Sequence, residues 1–245
     1  MKNNESQMNK KFGVIGAGKL GEIILQTLSE RDCLGSYGTK TNHQNFYKFN
    51  INTDSIADLP NADVFVICIP PSKYELEAVK KFIESAKKIP IILISSTSVY
   101  GTNSGAVDET SITTPLTENA IKLVALEDLV LNTKNGIVVR PAGLYSEGFH
   151  PGKFLSGKTQ IKNPDAPVNL ISRNEVADAV ISLAQQNEIR TLNLANKDHP
   201  SKRDYYTSYC ERNSLALPHF EQSNTPAQKI INSIHDGYSF TTALP

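Results

Sequence analysis

The sequence predicts an α/β protein, a doubly wound parallel sheet with a smaller C-terminal lobe. Short apolar runs of strand character alternate with amphipathic helical segments, and a glycine-rich turn joins the first run to the first helical segment. A further apolar run, Ile91-Ile-Leu-Ile94, leads directly into Ser95-Ser-Thr-Ser-Val-Tyr-Gly101, as happens where a strand delivers hydroxyls to the edge of a sheet.

Each element follows from local pattern. Phe12-Gly-Val-Ile15 is a short buried strand, after which Leu20, Ile23, Ile24 and Leu28 recur at helical spacing. A second strand falls at Cys33 to Thr39 and a third near Phe46 to Phe49. A fourth falls at Ala62 to Ile69, where Pro70-Pro71 stop it. Leu76, Val79, Phe82, Ile83 and Ala86 mark one face of a helix between Ser72 and Lys88, with charge on the other face. After the hydroxyl cluster come a Gly/Asn/Ser loop, a helix over Glu118 to Leu131 and a strand at Ile137 to Arg140. Beyond Ala142 the pattern loosens, then gives a strand at Val168 to Ile171 and a helix with Val176, Val180, Ile181 and Ala184 inward. Leu192 to Leu194 forms another short strand. Ser201 with Asp204 marks the start of a helix over Arg203 to Arg212, and the tail from Pro218 is irregular.

The turn Gly16-Ala17-Gly18-Lys19-Leu20-Gly21 matches GxGxxG in the setting that gives this short motif its meaning, after the first strand and opening the first helix. Gly16 permits the tight turn, Gly18 lets backbone approach a pyrophosphate, and Gly21 allows close packing of helix on strand. The helix N-terminus receives the anion. This is the Rossmann arrangement for a dinucleotide. The carboxylate that holds an adenosine ribose belongs at the end of the second strand, yet Ser36 to Asn42 contains no Asp or Glu. Lys40 between the hydroxyls of Thr39 and Thr41 suits a 2′-phosphate instead, which points to NADP, with NAD left open.

With these features in place, Ser95 to Gly101 resembles the corresponding strand end of the extended and atypical short-chain dehydrogenase/reductase family, which includes sugar-nucleotide epimerases and dehydratases. Arg140-Pro-Ala-Gly-Leu-Tyr145, Val168 to Asp178, Arg203 to Tyr206 and Leu217-Pro218 resemble later segments of that family. The resemblance implies that Ser96 hydrogen-bonds the substrate oxygen, with Thr97 and Ser98 beside it. It places Ser95, Ile69, Pro70 and Pro71 along the cofactor and brings Pro141, Ala142 and Gly143 toward its nicotinamide end. It also implies a substrate lobe and a homodimer built through the helices flanking the site.

One departure stands out. The family carries Tyr-x-x-x-Lys at the start of the helix after this loop, where the lysine lowers the tyrosine pKa for proton transfer. Here Asn119 and Leu123 take those positions, and no Tyr-x-x-x-Lys occurs in the chain. One residue earlier, Glu118 and Lys122 share the i, i+4 spacing. They fit either a carboxylate proton carrier or an ordinary surface pair worth about 0.2 to 0.5 kcal/mol. Tyr100 and Tyr145 are further candidates, as proton carriers or as packing aromatics, and His150 is either a substrate-lobe residue or a solvated loop histidine.

Composition narrows the partners. In 245 residues, 25 Lys and Arg balance 25 Asp and Glu, so no basic field for nucleic acid is expected and a small-molecule substrate fits better. The three cysteines are widely spaced and read as reduced, mostly buried thiols. No histidine falls in a metal pattern. Neither a signal peptide nor a membrane span is expected, which suits a cytoplasmic protein. Residues 1–10 read as a tail, 11–145 plus 168–195 as the dinucleotide-binding domain, and 146–167 plus 196–245 as the smaller lobe. Two functional readings follow: an NADP-dependent oxidoreductase or epimerase acting on a small hydroxyl or carbonyl compound, or a catalytically inactive NADP-binding sensor or regulatory protein.

Overall fold

The buried run Phe12–Ile15 is strand β1, and the glycine turn after it opens helix α1 (Lys19–Thr27), which buries Leu20, Ile24 and Leu25. Strands β2 (Cys33–Gly38), β3 (Phe46–Lys48) and β4 (Val64–Ile67) follow. Helix α2 (Leu76–Ala86) starts later than the sequence periodicity indicates, because Pro71–Lys73 first forms a separate 3-10 turn. Next come β5 (Ile91–Ile94), a 3-10 turn at Thr97–Tyr100, β6 (Ala106–Val107), α3 (Glu118–Leu131) and β7 (Gly136–Pro141). The chain continues through β8 (Gly143–Tyr145), α4 (Pro151–Leu155), β9 (Leu170–Ser172), α5 (Arg173–Ala184), β10 (Thr191–Leu194), α6 (Lys202–Arg212) and β11 (Ile230–Ile231). The computed structural model describes residues 10–28, 33–38, 46–59, 61–101, 103–146, 148–186, 188–222 and 229–238, with backbone alone for 33–38, 46–47 and 58.

Seven strands form one sheet in the order β10-β7-β5-β4-β1-β2-β3. The pairs β1 with β2 and β4, β2 with β3, and β5 with β4 and β7 are parallel. The order reverses beside β1, so the fold is a doubly wound α/β sheet. Among the described residues no helix is long and apolar enough to cross a membrane.

By compactness the chain divides into two units. The first comprises Met1–Ser95, Ile121–Val139 and Ala177–Thr191. Its core packs Ile15, Phe65 and Ile67 of the sheet against Val79, Phe82 and Ile83 of α2. Phe82 meets Phe65 edge-on, with ring centroids 5.3 Å apart. Full burial of side chains of this size stabilises by about 1.5 to 3 kcal/mol each, which explains why the apolar face of α2 is held so firmly.

The second unit comprises Ser96–Ala120, Arg140–Val176 and Leu192–Pro245. One departure from the sequence reading lies here. The loop after Tyr100 contains β6 and the tail contains β11, and these two pair in parallel, Ile230 with Ala106 and Ile231 with Val107. Two-residue strands leave no periodic signal, so only the pairing reveals them. In α5, Val176, Val180 and Ala184 are buried as expected, whereas Ile181 is half-exposed and Leu183 takes its place inside the first unit.

Candidate functional site

The glycine turn lies in the first unit. Gly16 has φ of +107°, and a Cβ there would stand 2.6 Å from the Cys68 carbonyl oxygen and 2.9 Å from Ile69 Cγ1. Only glycine lets the end of β1 pass the end of β4 this closely. A Cβ on Gly21 would stand 2.1 Å from the Gly16 carbonyl oxygen, so α1 is seated against its own turn. The Gly21 N–H donates to the sulfur of Cys68, a half-buried residue whose enclosed thiol burial pushes up to about 12. Cys68 is thus a packed thiol rather than a nucleophile.

Gly18 differs from its neighbours. It is exposed, and a Cβ there would meet nothing within 4 Å among the described residues. It is also the N-cap of α1 and provides no side-chain cap. The turn is closed at Gly16 and Gly21 and open at Gly18, where backbone N–H groups and the positive end of the helix dipole meet free space. These residues fit a dinucleotide pyrophosphate. Exposed Lys19 adds a cation beside it, Leu20 anchors the helix inside, and Ala17 spans the turn. Half-buried Ile69 and exposed Pro70 end β4, and Pro71 opens the following 3-10 turn. Thr39, Lys40 and Thr41 lie outside the described residues.

The hydroxyl run divides between two different tasks. In the first unit, the Ser95 N–H donates to the Val139 carbonyl at 2.7 Å, and its hydroxyl donates to Oε1 of Glu127, a carboxylate only 2% exposed. Ser95 therefore has its proton committed. In the second unit, Ser96 caps the 3-10 turn by accepting from the Ser98 N–H at 3.1 Å. Among the described residues its own hydroxyl proton meets no acceptor, so the half-buried Ser96 is free to donate.

Tyr100 is wholly buried, at 0% exposure, and so has no face open to a substrate. Its hydroxyl donates to Asn193 Oδ1 and accepts from Arg140 Nη1, both at 2.8 Å. Burial pushes its phenol up, with the Arg140 charge and hydrogen bond opposing. The network continues into Glu109, whose carboxylate accepts from Asn193 N at 2.7 Å, Ser233 Oγ at 2.6 Å and Ile234 N at 2.9 Å. This network fixes the turn that carries Ser96.

On α3, Asn119 is exposed and Leu123 is buried, so neither position of the missing tyrosine-lysine pair holds a titratable group. Glu118 is exposed on the first turn. Lys122 instead reaches the Tyr74 carbonyl at 3.5 Å and lies 5.9 Å from the centroid of its ring. Among the described residues no ion pair joins Glu118 to Lys122, so the favoured surface pairing is not made.

Pro141 and Ala142 are buried and Gly143 is exposed. Backbone bonds from Ala142 to Leu194 at 2.8 Å and from Gly143 to Asn169 at 3.0 Å hold them. His150, neither solvated nor on an open surface, is 4% exposed and caps α4. Its Nδ1 accepts from the Gly152 N–H at 3.0 Å, so Nε2 carries the proton and donates to the Tyr205 hydroxyl at 2.7 Å. Tyr209 stacks on the imidazole at 3.7 Å between centroids. Tyr145 is buried, and among the described residues its hydroxyl has no hydrogen-bond partner.

Sequence reasoning overlooked Glu109, Glu127, Asn193 and the partners of His150. The available signal was a polar residue inside an apolar strand, as Asn193 lies between Leu192 and Leu194.

No family model matches the chain. The UDP-N-acetylglucosamine 4-epimerase of Bacillus cereus superimposes with a TM-score of 0.77 at 15% identity, covering 96% of this chain and 94% of that one. The Bacillus cereus UDP-glucuronic acid 4-epimerase, solved in complex with NAD, gives 0.71 at 19% identity, over 96% and 93%. The fold is therefore the Rossmann fold that these epimerases share. Within that class the chain belongs to the family of Protein YeeZ from Escherichia coli (strain K12). The two are 32% identical over 244 residues, which span 87% of this chain and 88% of YeeZ.

Proposed function

We propose that this chain is an oxidoreductase or epimerase that binds a nicotinamide dinucleotide and acts on a small hydroxyl or carbonyl compound. The observation that carries the reading is the contrast within one turn: Gly16 and Gly21 are sterically closed, while Gly18 opens onto free space at an uncapped helix N-terminus. The NAD held by the Bacillus cereus epimerase of the same fold supports the cofactor class. NADP is favoured because Ser36 to Asn42 offers no carboxylate for a ribose, while Lys40, Thr39 and Thr41 suit a phosphate.

When bound, the nicotinamide supplies hydride chemistry. The chain supplies the remainder. Ser96, its oxygen occupied by the Ser98 N–H, donates its hydroxyl proton to the substrate oxygen and stabilises charge there. Glu118, exposed and without a described partner, carries the proton that a tyrosine carries elsewhere. Tyr100 and Lys122 act as positioning residues, the first through Arg140 and Asn193 and the second through Tyr74.

The test is NADPH and NADH binding followed by turnover on a carbonyl panel, with Ser96→Ala and Glu118→Gln beside the parent. The expected result is binding with turnover, and loss of at least about tenfold in kcat in each variant at unchanged dinucleotide affinity. The exposed Asn119 and buried Leu123 favour the second reading, a binding or regulatory protein without chemistry. Tight binding with no turnover on any compound would establish that reading instead. An unchanged NADPH to NADH affinity ratio in Lys40→Ala would overturn the NADP assignment.

A further inference from the structure

Arg173, the first residue of α5, is a buried cation that plays no part in the chemistry proposed above. It is 6% exposed, and among the described residues no carboxylate forms an ion pair with it. Its surroundings are nevertheless built. Nη1 donates to the Ser146 hydroxyl oxygen at 2.6 Å, and the guanidinium carbon lies 4.5 Å from the centroid of the Phe149 ring. Ser146 and Phe149 exchange backbone hydrogen bonds, both at 3.0 Å, across a turn in which Gly148 has φ of +76°. That turn fixes the hydroxyl and the ring that hold the guanidinium. Burial pushes the Arg173 pKa down with no neighbouring charge opposing it, as befits a cation without its anion.

These contacts leave one edge of the guanidinium unused. Nη1 is taken by Ser146, whereas Nε and Nη2 meet no acceptor among the described residues. Neither is sealed from solvent, unlike the enclosed Nε of Arg190. Nε–H and the adjacent Nη2–H point the same way, and this is an edge on which arginine takes a carboxylate or phosphate by two parallel bonds. The Ser146 oxygen accepts from Arg173, and its own proton meets no acceptor among the described residues, so a third donor is available. The carboxylate on the same helical turn is engaged elsewhere. Glu175 accepts from the Ser172 N–H at 3.0 Å, while the Ser172 hydroxyl accepts from the Asn174 N–H at 3.2 Å. The helix start is thereby capped from within, and the unanswered charge is that of the Arg173 side chain. Water can meet single N–H groups but brings no charge, and a cation withdrawn this far from bulk solvent calls for an anion. Phe149 meets Phe154 edge-on with centroids 5.3 Å apart, and Phe154 is exposed, so an apolar surface continues outward from the stacked ring.

We propose that the Nε–Nη2 edge of Arg173 and the Ser146 hydroxyl bind the carboxylate or phosphoryl group of a small ligand whose apolar part lies on Phe149 and Phe154. The oxyanion takes two parallel bonds from Arg173 and one from Ser146. All four residues belong to the second unit, so the site does not depend on the dinucleotide reading.

Isothermal titration calorimetry of the full chain with benzoate, phenyl phosphate and uncharged benzamide tests this. At least one of the two anions binds with Kd of about 10 mM or tighter, and benzamide binds about tenfold or more weakly than it. The tighter anion shows whether the ligand group is a carboxylate or a phosphoryl group. Arg173→Lys keeps the charge but loses the paired edge, and Ser146→Ala leaves Arg173 in place but loses the third donor. Each weakens anion binding by about tenfold or more. Circular dichroism checks the fold of both, and if Arg173→Lys unfolds, the half-buried Ser146 still decides the matter through Ser146→Ala. No binding of either anion up to about 50 mM, a range in which even weak complexes form, would overturn the proposal. Benzamide binding as tightly as the anions would reduce the site to an apolar patch and defeat it. Anion affinity unchanged in either folded variant would place the anion elsewhere, the glycine turn included, and defeat it equally.

Discussion

Arg140 donates from Nη1 to the hydroxyl of Tyr100 at 2.8 Å, and the two residues are 6% and 0% exposed. The guanidinium also lies 5.0 Å from the centroid of the tyrosine ring. A buried cation needs its acceptors, and a phenol held between Arg140 and Asn193 is fully used. Tyr100→Phe keeps the packing and removes both bonds. The expected loss is about 1 to 3 kcal/mol of unfolding free energy, read as a lower urea midpoint at unchanged slope. A variant as stable as the parent would show that the network is idle.

The glycine turn yields opposite outcomes at two positions. At Gly18 an alanine Cβ meets nothing, and φ of −87° is open to any residue. Gly18→Ala therefore leaves the unliganded protein within about 0.5 kcal/mol of the parent but weakens dinucleotide binding by about tenfold or more, because the methyl occupies the space the pyrophosphate needs. At Gly16, φ of +107° and a contact of 2.6 Å with the Cys68 carbonyl make alanine strained whatever is bound. Gly16→Ala loses about 2 kcal/mol or more of stability before any ligand is added. Thermal unfolding and NADPH titration of both variants separate the two effects.

Glu109 ties three segments together, accepting from Asn193 N, Ser233 Oγ and Ile234 N. Bonds to a carboxylate are stronger than neutral ones, and two of these donors are backbone amides whose exchange reports on opening. In Glu109→Ala the amides of Asn193 and Ile234 exchange faster by about tenfold or more, while those of β4 and β5 keep their protection. Uniform acceleration across the chain would indicate global destabilisation rather than release of this anchor.

The same residues show how far the sequence can be read. Period and punctuation are local, so the strand at Phe12 to Ile15, the turn at Gly16 to Gly21, the helix Glu118–Leu131 and the Ser201 cap over Asp204 N–H were all visible in the chain. The seven-stranded order follows from repeating that local unit. The anchors of the hydroxyl turn are not local. Glu109 meets Asn193 across 84 residues and Ser233 across 124, and Tyr100 meets Asn193 across 93. Nothing in composition or spacing pairs residues at such distances, so in the sequence Tyr100 reads as either a proton carrier or a packing aromatic, and only its burial selects the second. The sequence leaves His150 between a lobe residue and a solvated loop residue for a related reason. Its loop composition suggested solvent, whereas its fate was set by Tyr205 and Tyr209 on a helix more than fifty residues later.

His150 also predicts an acid limit to stability. Burial, with the nearby charges of Lys153 and Arg212, pushes its pKa from 6.5 down to about 4. The cause is visible in the bonds: protonating Nδ1 would set an N–H against the Gly152 N–H that it now accepts. The folded state therefore prefers the neutral ring. Its contribution is complete above 6.5, the ordinary value, and is lost as the pH falls from there through about 4. Asp54 and Asp108, held below 3.8 by hydrogen bonds from Asn50 and Thr110, titrate lower still and so do not mask this window. His199 is pushed the same way, again by burial, and leaves a residual slope. Asparagine at 150 keeps an acceptor for the α4 cap but cannot titrate. His150→Asn is thus less stable than the parent at neutral pH, through loss of the 3.7 Å stack on Tyr209, yet its stability declines less steeply across the window. Urea denaturation of both proteins through the window measures the two slopes, and equal slopes would remove His150 as the acid-sensitive group.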